Sequence, residues 1–235
     1  MYIILSSTLG LILCFFRPFN ADNTFYLSRL LSFGVLPIAG IKLKSIGVEN
    51  FEKVKGSAII ISNHQNNFDV FVVGPYVPHN TVSIGKKIIR LFPFFGWIYW
   101  LSGHILIDRS KKRKAVGTMK QASEKMINKN LKVWIMPEGT RSKGRGLLPF
   151  KKGAFHMAQQ TGLPIIPVIM SSYANTMDLN KLVSQKVLFK VLPPIPKESW
   201  PSEDINELKD YFYNLLKEEL IKVDHELLNF DELPQ

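Results

Sequence analysis

Residues 57–69 read SAIIISNHQNNFD, a short apolar run that passes directly into a polar segment. The run Ser57–Ser62 is rich in isoleucine and lacks the alternation of a strand with one face in water, so it predicts a β-strand buried on both faces. Asn63 to Asp69 then follow without a break. α/β sheets bind ligands at the carboxyl ends of such strands. The stretch therefore predicts a central strand of an α/β sheet with a candidate site directly after it.

Apolar runs of the same kind recur along the chain, and segments with helical patterns separate them. Alternating strands and helices indicate a sheet covered by helices on both faces. We therefore predict an α/β fold, a single domain in which a mixed, largely parallel sheet is flanked by helices. The other predicted strands are Thr81–Ile84, His104–Ile107, Lys132–Met136, Ile165–Met170 and Val187–Leu192. The predicted helices are Asp69–Tyr76, Lys86–Phe92, Lys111–Asn130, Gly153–Thr161 and a C-terminal helix from Pro201 to about Phe230 with Ser202 as its N-cap.

Two apolar segments precede this domain, which we assign to residues 44–235. Tyr2–Phe16 is uninterrupted, whereas Phe25–Ile41 contains Arg29, Gly34 and Pro37. As a helix, the first segment would reach roughly 22 Å, which is short of the roughly 30 Å hydrocarbon core of a bilayer. We therefore predict that residues 1–43 form a membrane-associated helical hairpin that enters one leaflet. Two alternatives stay open, a pair of buried core helices and a single-pass anchor.

His64 and Asp69 are the ionisable residues of the polar segment, five positions apart. On one continuous helix their side chains would point about 140° apart. Contact therefore requires His64 in the loop and Asp69 in the first helical turn. A carboxylate that holds one imidazole nitrogen leaves the other free to act as a base. The chain has no G-x-S-x-G sequence, so the hydroxyl to be activated would belong to the substrate. The alternative is a helix-capping aspartate beside an ordinary loop histidine.

Two further strands are followed by turns that contain arginine. Arg109 comes after one of them, and Arg141 lies in the turn PEGTRS at residues 137–142. Arginine in such a turn suits phosphate, because its guanidinium donates two parallel hydrogen bonds. Residues 85–153 also contain seventeen Lys or Arg against three acidic residues, in a chain of net charge +11. This basic centre predicts an anionic partner, with a solvated basic face as the alternative.

Metal and nucleotide sites are not predicted. Cys14 is the single cysteine, and His79, His156 and His225 have no partners at metal-ligand spacing. The sequence contains neither G-x-G-x-x-G nor a Walker loop. We therefore expect no metal and no cofactor.

Four blocks of sequence, in this order, resemble the four motifs of the glycerolipid acyltransferase family. They are NHQNNFD at 63–69, GHILIDR at 103–109, PEGTRS at 137–142 and LPIIPV at 163–168. The connecting stretches PFFGWIYWLSG and GRGLLPFKKGAFHMA are similar to bacterial members of the family that acylate 1-acyl-sn-glycerol 3-phosphate. Four ordered motifs are specific, although any one of them alone is not.

The resemblance implies roles for the residues that match the motifs by position. His64 would be the general base, and Asp69 would orient it. The other implied residues bind substrate: Lys86 between the first two motifs, Arg109 at the acceptor site, Glu138, Gly139, Thr140 and Arg141 in a phosphate-binding turn, and Pro167 in the acyl-side motif.

The implied reaction moves a fatty acyl group from an acyl-CoA or acyl-carrier-protein thioester to the sn-2 hydroxyl of lysophosphatidic acid, which gives phosphatidic acid. The implied partners are these substrates and a membrane lipid surface, with no nucleic acid. We expect a peripheral or monotopic protein on the cytoplasmic face of the bacterial inner membrane. Two alternatives remain: glycerol 3-phosphate or another lysophospholipid as the acceptor, and a basic lipid- or nucleic-acid-binding protein without catalysis.

Overall fold

The computed structural model of the chain describes residues 1–107 and 122–233. Its seven strands form one sheet in the order β1-β7-β6-β2-β5-β3-β4. The strands are β1 (Ile41–Ile46), β2 (Ala58–Ser62), β3 (Thr81–Lys86), β4 (Ile105–Ile107), β5 (Lys132–Ile135), β6 (Ile165–Met170) and β7 (Gln185–Val191). From β6 to β4 all neighbours are parallel, whereas β7 is antiparallel to β6 and parallel to β1. The predicted mixed, largely parallel sheet is confirmed.

Helices cover both faces of this sheet. They are α1 (Tyr2–Phe16), α2 (Asp22–Ile38), α3 (Asp69–Val73), α4 (Phe95–Leu101), α5 at residues 122–128, α6 (Gly153–Thr161) and α7 (Ile205–Glu226). The isoleucines of β2 divide between the two sides. Ile59 and Ile61 pack with residues of α5, α6 and α7, whereas Ile60 packs with residues of α2 and α3. The continuous apolar run of β2 is thus explained by burial on both faces.

Two elements were absent from the sequence prediction. The strand β1 has the alternating sequence IKLKSI, and the predicted domain boundary between residues 43 and 44 falls inside it. α2 ends at Ile38, and Gly40 at φ +65° turns the chain into β1. The helix α4, with the sequence FGWIYWL, was also missed.

The predicted helix Lys86–Phe92 was wrong. Lys86 instead continues β3, because Gly85 and Lys86 pair with Leu106 and Ile107 of β4. Only a short 3-10 helix, Lys87–Leu91, follows. Pairing with a neighbouring strand has overridden the local helical pattern. Of the predicted helix Lys111–Asn130, residues 122–128 are helical and residues 111–121 lie outside the described residues.

The C-terminal helix begins later than predicted, and its N-cap is Asp204. The Asp204 carboxylate accepts hydrogen bonds from the backbone N–H groups of Asn206 at 2.8 Å and Glu207 at 3.1 Å. Ser202 accepts instead from the N–H of Asp204 itself, at 3.0 Å. Two capping groups thus compete within three residues, and the carboxylate adjoining the helix satisfies its first N–H groups.

α1 and α2 form the predicted helical hairpin, which packs on the sheet domain on one side. The Ser28 hydroxyl donates to the Gly74 carbonyl at 3.0 Å, and the Arg29 guanidinium donates to the Val77 carbonyl at 2.8 Å. Across residues 1–107 and 122–233, no helix combines the length and hydrophobicity that crossing a bilayer requires.

Candidate active site

Three neighbouring parallel strands place polar residues at the same edge of the sheet. β2 lies between β6 and β5, and each of the three runs in the same direction. Their carboxyl ends therefore meet at one edge, which is where α/β sheets place ligands. His64 follows β2, Glu138 follows β5 and Tyr173 follows β6. This arrangement brings together residues that are far apart in the sequence.

His64 and Asp69 are in contact as the spacing predicts. His64 lies in the loop after β2, and Asp69 is the first residue of α3. The Nδ1 atom of His64 forms a hydrogen bond with Oδ2 of Asp69. The Asp69 side chain is fully buried, whereas that of His64 is 23% exposed. No other described residue bonds to the imidazole, so Nε2 is available to a ligand.

Backbone hydrogen bonds hold the His64 loop against the turn that follows β5. The N–H groups of Ser142 and Lys143 donate to the carbonyls of His64 and Gln65, at 2.8 Å and 2.9 Å. In return, the His64 N–H donates to Oε1 of Glu138 at 2.6 Å. The first and third motifs thus form one rigid unit, which fixes the backbone of the candidate base.

Glu138 is a buried carboxyl group that joins two loops. Its Oε2 accepts from the Leu148 N–H at 2.9 Å, while Oε1 accepts from His64. The residue is only 2% exposed, and burial raises the pKa of its carboxyl group to about 7 against the opposing effect of the two N–H donors. Its side chain therefore contacts the backbone of both loops.

The rest of the predicted phosphate-binding turn faces outward. Gly139 has φ +68°, a conformation that favours glycine. Thr140 and Arg141 are exposed, and no described residue forms a hydrogen bond or ion pair with the Arg141 guanidinium. With no partner among the described residues, this guanidinium beside the His64 loop can donate to an anion.

Three other predicted residues lie farther from the pair or cannot be placed. Lys86 is exposed at the end of β3, and β5 separates that strand from β2. Pro167 is buried in the middle of β6, in register with Ile61 of β2. Arg109 lies outside the described residues.

An apolar cavity of about 230 Å³ lies between the sheet and the hairpin, and neither His64 nor Asp69 is part of its lining. Its lining includes Val70 and Phe71, which follow Asp69 directly, and Leu27 of α2. At its polar end, His104 Nδ1 accepts from the Ser83 N–H at 2.8 Å. Burial, aided by the charge of Lys125, lowers the pKa of His104 to about 3, so this imidazole is neutral. No group of three or more His, Cys, Asp or Glu within the described ranges could hold a metal ion.

Sequence reasoning missed Tyr173 and Gln65. The Tyr173 hydroxyl donates to Oδ1 of Asp69, and the Gln65 side chain bonds to the Tyr173 N–H at 2.9 Å and the Ser171 carbonyl at 2.7 Å. Neither residue has a sequence signal of its own, although Gln65 lies within the polar segment.

The described residues of the site combine two features of chemical interest. His64 Nδ1 is bonded to the buried carboxylate of Asp69, and Arg141 lies in the adjoining turn with no partner among the described residues. A model of the acyltransferase family matches residues 42–171, so the chain belongs to the acyltransferase family.

Curated relatives match nearly the whole chain. The 1-acyl-sn-glycerol-3-phosphate acyltransferase of Haemophilus influenzae is 40% identical over 225 residues, which cover 95% of this chain and 92% of that protein. The Escherichia coli protein of the same name is 39% identical and is covered to 92%, with 97% of this chain aligned. The human 1-acyl-sn-glycerol-3-phosphate acyltransferase alpha is 31% identical, with 89% of this chain and 74% of that protein aligned.

A solved structure has the same fold. The crystal structure of the 1-acyl-sn-glycerophosphate acyltransferase from Thermotoga maritima superposes with a TM-score of 0.64. It covers 93% of this chain and 95% of its own, at 20% sequence identity. The α/β architecture predicted from the sequence is therefore found in a solved protein.

Proposed function

We infer that this chain transfers a fatty acyl group to the hydroxyl of 1-acyl-sn-glycerol 3-phosphate and so makes phosphatidic acid. The observation that carries this inference is the His64–Asp69 pair, which is poised for hydroxyl activation in a chain 40% identical over most of its length to an enzyme named for this reaction. The identity extends across both the hairpin and the sheet domain.

The proposed mechanism is direct transfer with His64 as the general base. Nε2 takes the proton of the sn-2 hydroxyl while the oxygen attacks the thioester carbonyl. The C–S bond then breaks, the acyl group stays on the new ester oxygen, and the thiolate receives the proton from the imidazolium. Asp69 stabilises that imidazolium and fixes its tautomer, since its carboxylate is bonded to Nδ1. The acyl donor is proposed to be acyl-CoA or acyl-carrier protein.

Arg141 is proposed to bind the phosphate of the acceptor. It directly precedes Ser142, whose N–H donates to the His64 carbonyl, and its guanidinium is exposed and unpaired among the described residues. A phosphate held there would place the hydroxyl near the base, and such positioning supplies up to roughly 7–11 kcal/mol of barrier reduction. The apolar cavity beside Asp69 suits an acyl chain.

The reaction is tested by release of free thiol from acyl-CoA in the presence of lysophosphatidic acid. We expect His64→Ala to lower turnover by roughly 10²–10⁴-fold, as loss of a general base does. His156→Ala is the matched control, because His156 is an exposed histidine on α6. Equal activity of the His64 and His156 variants would refute the assignment of the base. Glycerol 3-phosphate, assayed beside lysophosphatidic acid, decides between the two acceptors.

We propose that the protein works on the cytoplasmic face of the bacterial inner membrane, with the hairpin in one leaflet. Support comes from the outer side of the hairpin, where Phe15 and Phe16 are each 77% exposed and Phe33 is 82% exposed. Beyond the hairpin, the exposed aromatic residues of α4 lie beside Arg90, whose guanidinium is 4.9 Å from the Trp100 ring. Apolar side chains next to basic ones favour anionic lipid surfaces.

Vesicle flotation tests this location. We expect the wild type to float with vesicles that contain phosphatidylglycerol and a Phe15→Ser, Phe16→Ser double variant to float less. Ile221→Ser is the control, because Ile221 is 65% exposed on α7, which covers the face of the sheet opposite to α2. If the double variant and the control float equally well, these phenylalanines do not enter the bilayer.

A further inference from the structure

A tyrosine outside the four motifs contacts the carboxylate that orients the proposed base. The Tyr173 hydroxyl donates to Oδ1 of Asp69, which is the carboxylate oxygen that His64 does not contact. We propose that Tyr173 is a positioning residue for the acyl transfer inferred above, acting on His64 through Asp69. This inference rests on the proposed function.

Four donors converge on the Asp69 carboxylate. Oδ2 accepts from His64 Nδ1 and from the N–H groups of Gln65 at 2.7 Å and Asn66 at 3.2 Å. These three donors all belong to the loop that contains the base. Tyr173 is the single donor to Oδ1 within the described ranges, and it comes from the segment after β6. It therefore ties the carboxylate to a second strand and limits rotation of the carboxylate about its Cβ–Cγ bond.

Tyr173 is itself firmly held. The residue is 1% exposed, and its N–H donates to Oε1 of Gln65 at 2.9 Å. Its neighbour Ser172 donates from both N–H and hydroxyl to the Asp224 carboxylate of α7, at 2.6 Å and 2.7 Å. A donor on so constrained a segment can impose its geometry on Asp69 rather than follow it.

The phenol acts as a donor and not as a base. Burial, and then the negative charge of Asp69, raise the pKa of Tyr173 well above its ordinary value of 10. The hydroxyl thus remains protonated wherever the enzyme works. Its oxygen also lies 3.2 Å from Oδ1 of Asn66, a second acceptor within reach of its single hydrogen.

Removal of the hydroxyl has two consequences with different readouts. The carboxylate loses its fixed orientation, which lowers kcat because the base is misaligned. Without this donor, the Asp69 carboxylate also stabilises the imidazolium form of His64 more strongly. His64 then loses its proton at higher pH, so the acid limb of the pH–rate profile moves to higher pH. Among the described residues, Asp69 bonds to His64, Glu138 and Tyr173 bond respectively to the backbone of His64 and to Asp69, and the Arg141 guanidinium lies in the adjoining turn. Arg141 is the same in every variant, and so is Glu138, whose titration therefore cancels in the comparison.

The experiment compares Tyr173→Phe with Tyr76→Phe. Tyr76 packs in the same apolar cluster and stacks on Phe189 with ring centroids 4.5 Å apart, but it does not contact the pair. For Tyr173→Phe we expect kcat to fall roughly 10–150-fold, as loss of a hydrogen bond to a charged group does, with the KM for the acceptor nearly unchanged. The acid limb should rise by roughly half to one pH unit. Tyr76→Phe should move neither quantity.

A second replacement of Tyr173, by 3-fluorotyrosine, should move the acid limb of the pH–rate profile in the opposite direction. With 3-fluorotyrosine at position 173 the ring is kept and the phenol is a stronger donor, so the acid limb should move to lower pH. A limb that stays unmoved in both replacements would overturn the proposal, even if Tyr173→Phe lowers kcat, because a purely structural role explains that loss.

Two features of the experiment distinguish a failure of this proposal from a failure of the proposed function. The profiles are measured with whichever acceptor of the panel the wild type uses fastest, so a wrong acceptor leaves the test intact. Titration of the His64 imidazole by NMR, in wild type and Tyr173→Phe, reports the same displacement without turnover. If the wild type shows no turnover but the His64 titration still differs between the wild type and Tyr173→Phe, the proposed reaction is refuted and the role of Tyr173 is supported.

Discussion

Titration of Glu138 should make the stability of the fold depend on pH. The residue is 2% exposed, and burial raises the pKa of its carboxyl group from 4.5 to about 7. In the unfolded chain the group titrates near its ordinary value, so between these pH values the folded state binds the extra proton. The stabilisation of the folded state by protonation of Glu138 is therefore complete below about pH 4.5, and it is lost as the pH rises through about 7.

The size of the effect follows from the two pKa values. At about 1.4 kcal/mol per pH unit, the interval from 4.5 to about 7 corresponds to about 3 kcal/mol of unfolding free energy. Glu138→Gln removes the titration, since the amide is a neutral isostere of the protonated carboxyl group. Each has a carbonyl oxygen that accepts from one backbone N–H. The second N–H faces a hydroxyl oxygen in the acid, which can still accept, and an NH2 group in the amide, so the two side chains differ by at most one hydrogen bond. The two proteins should thus agree within about 1 kcal/mol at pH 5.

The assay is urea denaturation in detergent, followed by circular dichroism at several values between pH 5 and 8. At pH 8 the Gln variant should be more stable than the wild type by about 3 kcal/mol, because only the wild type holds a buried charge. Subtracting the two curves removes the titration of all other groups. Glu49→Gln, which alters an exposed glutamate, should show no such difference. If the Glu138 difference is the same at pH 5 and pH 8, the reasoning from burial is wrong.

Three further predictions concern the loops of the site. Asp69→Asn should lower kcat roughly 10³–10⁴-fold in folded protein, because an amide does not stabilise the imidazolium; steady-state kinetics with near-wild-type kcat would contradict this. Arg141→Lys should raise the KM for lysophosphatidic acid strongly and that for the thioester little, since an ammonium has no bidentate fork; equal changes in both would refute phosphate binding there. Gly144→Ala should cost about 2–3 kcal/mol in thermal or urea unfolding, because φ is +80° and the new Cβ would lie 1.6 Å from Asn175 Oδ1. Gly146→Ala, with φ +76° and open space around it, should cost only the backbone strain of about 1–2 kcal/mol, and equal losses at both positions would contradict the role of the clash.

The sequence predicted the interior of the sheet well, because buried parallel strands have a distinct composition. β6 was placed at Ile165–Met170, and all six of its residues are buried. The spacing of His64 and Asp69 gave the condition for their contact, a loop histidine and an aspartate in the first helical turn, since five residues cannot bring two side chains of one helix together. It left the alternative of a capping aspartate open. Local rules suffice where the partners are near in sequence.

The remaining elements depend on partners that are distant in sequence. Lys86 joined β3 because β4 lies beside it, which a local helical pattern does not reveal. Tyr173 reaches Asp69 across 104 positions, and only the neighbouring placement of β6 and β2 makes that contact. For Glu138 the sequence indicated the turn, but the direction of the side chain depends on the two N–H groups that face it.

The position of β1 at the edge of the sheet has a consequence for protein synthesis. Ile41 pairs with Gln185, and β7 is the single neighbour of β1 in the sheet that the structure describes. At roughly 5–20 residues per second, the ribosome completes β7 on the order of 7–30 s after β1. During that interval the hairpin and β1 have been synthesised, but β1 has no β7 with which to pair. With the hairpin placed in one leaflet as proposed above, we expect it to reach the lipid surface as a nascent chain, before the domain can close around it.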